Sequence, residues 1–152
     1  LVEKSVSLSL NINRVVLSGL SAGAHLSAMQ VTNPDSFQPR AAVMLSGVYN
    51  LSPILHTTPG KVLCDSWTKD MAQISPLGRN APRDCQCLIV WGAEETAVFA
   101  SQSKMLSEHW RCCGVDAQTV PIEGENHFTI IEHLRGKKQG VVNSFIENAL
   151  FD

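Results

Sequence analysis

Three side-chain types that together can activate a hydroxyl are scattered along this chain. A serine stands between two glycines in Gly19-Leu20-Ser21-Ala22-Gly23; an acidic pair, Glu94-Glu95, follows an apolar run; and His127 ends a glycine-containing stretch, Glu123-Gly124-Glu125-Asn126-His127-Phe128. A serine hydroxyl is a poor nucleophile until a base takes its proton during attack. A neutral imidazole suits that task near pH 7. A buried carboxylate fixes the imidazole tautomer and stabilises the imidazolium that forms. In chain order the nucleophile comes first, then the acid, then the base. Glu95 is the preferred acid over Glu94, the alternative for each being a solvated surface carboxylate.

The elements that must position these groups are legible from hydrophobic patterning. Gly-x-Ser-x-Gly between an apolar run, Arg14-Val15-Val16-Leu17-Ser18, and a helix-like run, Ala24-His25-Leu26-Ser27-Ala28-Met29, is a nucleophile elbow. Such a turn strains the serine backbone and projects its hydroxyl, and both glycines are expected to clear space that a Cβ would fill. Runs Val15 to Leu17, Ala41 to Leu45 and Leu88 to Trp91 read as strands buried on both faces, with Ala117 to Ile122 as a weaker fourth.

Helical patterns fall between and after them: Ala24 to Val31, Thr68 to Ile74, Val98 to Cys113 and Gly140 to Leu150. In the third, Phe99, Gln102, Met105-Leu106, Trp110 and Cys113 share a face, and Gly114 is positioned to cap the end. Val48 to Lys61, with Pro53, Pro59 and Gly60, is expected to loop over the top of the sheet. Alternation of this kind predicts an α/β fold, a mostly parallel sheet with helices on both faces, in one domain spanning 1–152. Loops leaving the carboxyl edge of a parallel sheet converge on one rim, so Ser21, Glu95 and His127 can meet there.

The other histidines are weaker candidates. His25 lies one turn past Ser21 on the elbow helix and reads as structural. His56 falls in the irregular loop and could line a pocket. His109 is expected to be solvated on a polar helix face, and His133 to lie at the surface.

Bulk composition excludes several functions. With 44% apolar and 17% charged residues and a net charge of −2, the chain has no basic footprint for nucleic acid or an anionic membrane. It contains no 18-residue apolar run and no signal-peptide pattern. Five cysteines, an odd number, argue against a disulfide framework. Neither Cys85-x-Cys87 nor Cys112-Cys113 has zinc-site spacing, so no metal and no cofactor are expected, and reduced thiols of a cytoplasmic protein fit better. The expected partner is a small-molecule substrate, with a homodimer left open.

Several motifs in register extend these readings. Ser21-Ala22-Gly23-Ala24-His25-Leu26, Ser46-Gly47-Val48-Tyr49-Asn50-Leu51-x-Pro53, Ser75-Pro76, Phe99-x-x-Gln102-Ser103 and Asn126-His127-Phe128 resemble animal-type kynurenine formamidase (arylformamidase), a serine hydrolase family of the α/β-hydrolase superfamily. The resemblance runs from about Arg14 to the C-terminus. It implies hydrolysis of N-formylkynurenine to kynurenine and formate, with Ser21 as nucleophile, His127 as base and Glu95 where the family usually has aspartate. Tyr49 to Leu55 and His56 could wall the aromatic pocket.

The family also carries a His-Gly-Gly-x-Trp motif, well before the elbow, that supplies oxyanion-hole donors. No such motif precedes Ser21 in this chain, which begins at Leu1 and looks like the C-terminal half of the fold. Ala22 can supply one backbone donor. The nucleophile strand is then expected to be a bare hydrophobic edge. Two other functions fit the same residues: a carboxylesterase acting on short acyl esters, and a truncated chain that turns nothing over.

Overall fold

The computed structural model describes residues 4–5, 7–57, 71, 73–115 and 117–151. Four strands form one parallel sheet in the order β1 (Val16–Leu20), β2 (Ala41–Leu45), β3 (Gln86–Gly92), β4 (Ala117–Ile122). Helix α1 (Ala22–Val31) joins β1 to β2, and α2 (Ala97–Cys112) joins β3 to β4. Helix α3 (Val141–Phe151) closes the described chain.

The alternation of side chains along each strand divides the core into two layers. Ala42 and Met44 of β2 and Cys87 and Ile89 of β3 face Ala24, Ala28 and Val31 of α1 and Leu106 and Trp110 of α2. Ala41, Val43 and Leu45, with Leu88 and Val90, face Val142, Phe145 and Ala149 of α3. Every residue of β2 is buried, which is why its sequence is apolar throughout rather than alternating. The result is the α/β architecture with helices on both faces that the patterning implies.

Differences in the elements have local causes. The first strand runs on to Leu20, because its backbone keeps pairing with β2 up to the elbow. The buried face of α2 is Gln102, Ser103, Leu106, Ser107 and Trp110, rotated from the expected stripe so that Met105 and Cys113 are exposed. Ser103 and Ser107 on that face are fully buried. Gly114 follows the helix at φ +83°, and its amide bonds the Arg111 carbonyl, the left-handed cap that glycine favours. In the stretch from Val48, Ser52–His56 wind into a single 3-10 helix. The helix expected over Thr68 to Ile74 falls largely outside the described residues, of which Met71, Gln73 and Ile74 are in turns. No helix among the described residues is long and apolar enough to cross a membrane.

Strand β1 pairs with β2 alone among the described residues, so the sheet ends there. Val15, Leu17, Gly23 and Leu26 line a shallow groove beside that edge. An unpaired row of backbone donors and acceptors next to apolar side chains is the bare edge the sequence implies.

The two elbow glycines are not equivalent. A Cβ on Gly19 would sit 2.3 Å from the Gly23 carbonyl carbon and oxygen, so the strand and helix can cross only without a side chain there. A Cβ on Gly23 would meet nothing within 4 Å, contrary to the expectation that both positions are crowded, and Gly23 lines the open groove beside β1. Gly19→Ala is therefore expected to cost about 3 kcal/mol or more through overpacking against backbone. Gly23→Ala should be neutral or stabilising by about 0.5–1 kcal/mol, as alanine replaces glycine in a helix. Urea denaturation of both variants measures the contrast, and equal losses would contradict it.

Candidate active site

Ladder hydrogen bonds continue one residue past the strand ends and set the site's frame. The Ser21 amide donates to the Leu45 carbonyl at 2.9 Å, the Ser46 amide to Val90 at 2.8 Å, and the Ala93 amide to Ile122 at 2.9 Å. With Leu20 opposite Leu45 and Leu45 opposite Val90, the residues leaving β1, β2 and β3 emerge at one carboxyl rim.

Ser21 occupies the turn between β1 and α1 with φ 56° and ψ −114°. A non-glycine residue there is strained, and such strain persists where the surroundings over-determine it. The His25 amide bonds the Ser21 carbonyl at 3.1 Å, and Gly19 permits the crossing of strand and helix. Ala22 is exposed at the first position of α1. Amides of a helix's first turn have no partner within the helix and attract negative charge.

Glu95 and His127 come together as the patterning suggested. His127 Nδ1 donates to Glu95 Oε1 at 3.2 Å, although 31 residues separate them in the chain. The glutamate side chain is only 1% exposed, whereas the histidine is 25% exposed. A carboxylate on Nδ1 leaves Nε2 as the free proton acceptor on the open side of the ring. Phe99 of α2 stacks on the imidazole with ring centroids 4.5 Å apart, and Phe128 meets its edge at 5.8 Å. Glu94 is exposed, and its amide bonds the Glu125 carbonyl. No hydrogen bond or ion pair joins the Glu94 carboxylate to His127 among the described residues. Among the described residues the Ser21 hydroxyl has no hydrogen-bond partner, His127 included. Nucleophile–base contacts are often long without substrate.

Sequence reasoning missed Ser46. Its hydroxyl donates to the same Glu95 oxygen at 2.7 Å, and its backbone has φ 47°. The available signal was a polar residue directly after a wholly apolar strand, at the rim where the other candidates emerge.

Beside Ser21 lies a cavity of about 500 Å³ whose lining includes Ala22, His25 and the apolar side chains of Leu26, Val48, Leu51 and Ile54. Tyr49, expected in its wall, is instead fully buried in the core against the Gly47 backbone. Burial pushes its phenol far above the ordinary tyrosine range. Its backbone is tied to α2, where Gln102 Oε1 accepts from the Tyr49 and Asn50 amides at 3.0 and 2.7 Å. His56 ends the 3-10 helix, but its side chain lies outside the described residues.

Three further histidines serve structure. His25 Nδ1 lies 2.8 Å from the Val48 carbonyl, tying α1 to the loop after β2. His109 is half-buried rather than on a freely solvated face, with its Nε2 2.9 Å from the Arg79 carbonyl. His133 is buried rather than at the surface, its Nε2 3.1 Å from Glu125 Oε1. Both depart from expectation because another segment supplies a polar partner, 30 positions away for His109 and 8 for His133. No group of three or more metal-ligating side chains occurs among the described residues.

Glu125 anchors the loop that presents His127. Its carbonyl sits where a side chain on Gly92 would be, 2.2 Å from that ideal Cβ, so the loop packs directly on the end of β3. The Lys138 ammonium, chiefly, and then the Thr129 hydroxyl hold the Glu125 carboxyl down to about 2 from a usual 4.5.

Comparison with known proteins places these features in context. No family model matches the chain. It is 29% identical to the kynurenine formamidase of Danio rerio, over 82% of this chain and 45% of that protein. The kynurenine formamidase of Salmo salar is 27% identical over 82% and 46%. The chain therefore spans about half the length of these curated relatives. Among solved structures, a propionate-bound esterase, Est2 of Thermogutta terrifontis, superposes with a TM-score of 0.66 at 25% identity, over 83% of this chain and 50% of that one.

A carboxyl held low in the folded state stabilises above its unfolded value and loses that effect as pH falls through the folded one. Wild type should thus be more stable than Glu125→Gln near neutrality. The gap should close as pH drops from about 4.5 to about 2. Thermal melts of both proteins across that range test this, and a constant gap would contradict it.

Proposed function

From a chain with part of an α/β-hydrolase fold and sequence similarity to kynurenine formamidases, we propose a serine hydrolase that cleaves the formamide of N-formylkynurenine, releasing kynurenine and formate. The observation that carries this reading is the His127–Glu95 pair, on the same rim as a serine held in a strained elbow. Similarity to two curated relatives of that activity supports the substrate.

The steps follow from the residues. Ser21 Oγ attacks the formyl carbon while His127 Nε2 takes its proton, and Glu95 stabilises the imidazolium. The tetrahedral oxyanion accepts from the Ala22 amide, the donor this chain supplies, at the positive end of α1. His127 returns the proton to the aryl amine as it leaves. Water, deprotonated by the same imidazole, then releases formate and regenerates the serine. The apolar wall of Leu26, Val48, Leu51 and Ile54 suits an aromatic group beside the reacting carbonyl.

A carboxylesterase is the second reading, favoured by the likeness to an esterase solved with propionate bound. Ser21→Ala and His127→Ala should each lower turnover by at least about 10³-fold while the protein stays folded. Rates on formyl anilides against longer acyl esters separate the readings: formyl preference supports the formamidase, ester preference the esterase. Full activity in Ser21→Ala would overturn both.

A further inference from the structure

We infer that Ser46 is a positioning residue, whose buried hydroxyl clamps the Glu95 carboxylate to the end of β2 so that His127 keeps its proton on Nδ1. The inference takes its purpose from the hydrolase reading but stands on separate geometry.

Glu95 reaches His127 through one more rotatable bond than an aspartate would need. Its carboxylate is therefore placed by whatever holds it, not by its backbone. One oxygen, Oε2, is buried with no hydrogen-bond partner among the described residues, so the whole restraint falls on Oε1. Two groups donate to Oε1, and the serine contact at 2.7 Å is much shorter than the imidazole contact at 3.2 Å. The carboxylate is thus fastened to the sheet first and offered to the ring second.

Ser46 is itself immobile. It is fully buried, and its amide extends the β2–β3 ladder to the Val90 carbonyl. Its backbone, at φ 47°, lies where glycine would sit without strain and serine does not. Backbone strain in a buried rim residue makes sense if the hydroxyl is needed there. Holding the acceptor of a histidine's Nδ1–H fixes both tautomer and ring orientation, the same logic by which outer hydrogen bonds orient metal-bound histidines.

Two variants separate the hydroxyl from the backbone. Ser46→Gly removes the hydroxyl and relieves φ; Ser46→Thr keeps the hydroxyl and worsens the strain, since β-branched residues disfavour positive φ. The readout is the His127 tautomer ratio in this chain, from ring ¹⁵N shifts at a pH where the imidazole is neutral, alongside the melting temperature.

In Ser46→Gly the melting temperature should hold or rise while the Nε2–H form gains about fivefold to tenfold over Nδ1–H, the scale of one lost hydrogen bond. In Ser46→Thr the melting temperature should fall while the tautomer ratio stays near wild type. Ser46→Ala serves as a second hydroxyl-free variant if the glycine protein does not fold. An unchanged ratio in the hydroxyl-free variants would overturn the inference. Because the ratio needs no turnover, a shifted ratio in a chain that hydrolyses nothing would support the clamp and count against the hydrolase reading instead. With turnover, kcat should fall about tenfold with KM unchanged.

Discussion

The site depends on the register of a parallel ladder. Leu20, Leu45 and Val90 lie abreast, and Gly92 lies opposite Ile122. Because the strands run the same way and stop nearly in step, their outgoing residues share one rim, with Ser21 leaving β1 and Ser46 leaving β2. A slip of one residue in any pairing would turn that strand's side chains to the opposite face. Ala41, Val43 and Leu45 pack in one layer and Ala42 and Met44 in the other, so a slip would exchange side chains of different size between two close-packed layers. Core packing and site geometry are thus one constraint seen from two ends of the sheet.

Close backbone approach completes the frame. Gly19 admits α1 against β1, and Gly92 admits the Glu125 loop against the end of β3. Each contact fixes a functional loop to a strand by main-chain atoms, leaving side chains free for chemistry. Strain gathers at the same rim, in the positive φ of Ser21 and Ser46. A fully buried β2 and a core on both sheet faces supply the packing that holds those conformations.

The polar network behind the rim is uneven. Glu125 and Glu95 each meet their two closest side-chain donors on Oε1, Lys138 and His133 for the first and Ser46 and His127 for the second, so only Glu125 has an ammonium beside it. The first carboxylate is a structural anchor. The second has no Lys or Arg partner among the described residues, and a buried carboxylate of that kind interacts strongly with any positive charge that develops beside it. That difference fits the proposed division of labour between holding a loop and stabilising an imidazolium.

Much of this was legible in the residues. Continuous apolar runs marked the strands, because a parallel sheet covered on both faces has no polar side. The glycine–serine spacing marked the elbow, because few residues survive that turn. Glu95 and His127 were legible as polar residues just past strand ends. What sequence alone misjudged was decided by contacts between distant segments. Gln102 holds the Tyr49 backbone amide from 53 positions along the chain, and the Arg79 carbonyl meets His109 from 30. Ser46 acquired its role only when the sheet brought β2 beside the loop after β3. Periodicity records how each element meets water and its nearest layer, so it determined the strands and helices. Which polar atoms face one another across dozens of residues depends on loop paths that carry no period, and only the folded chain decided those.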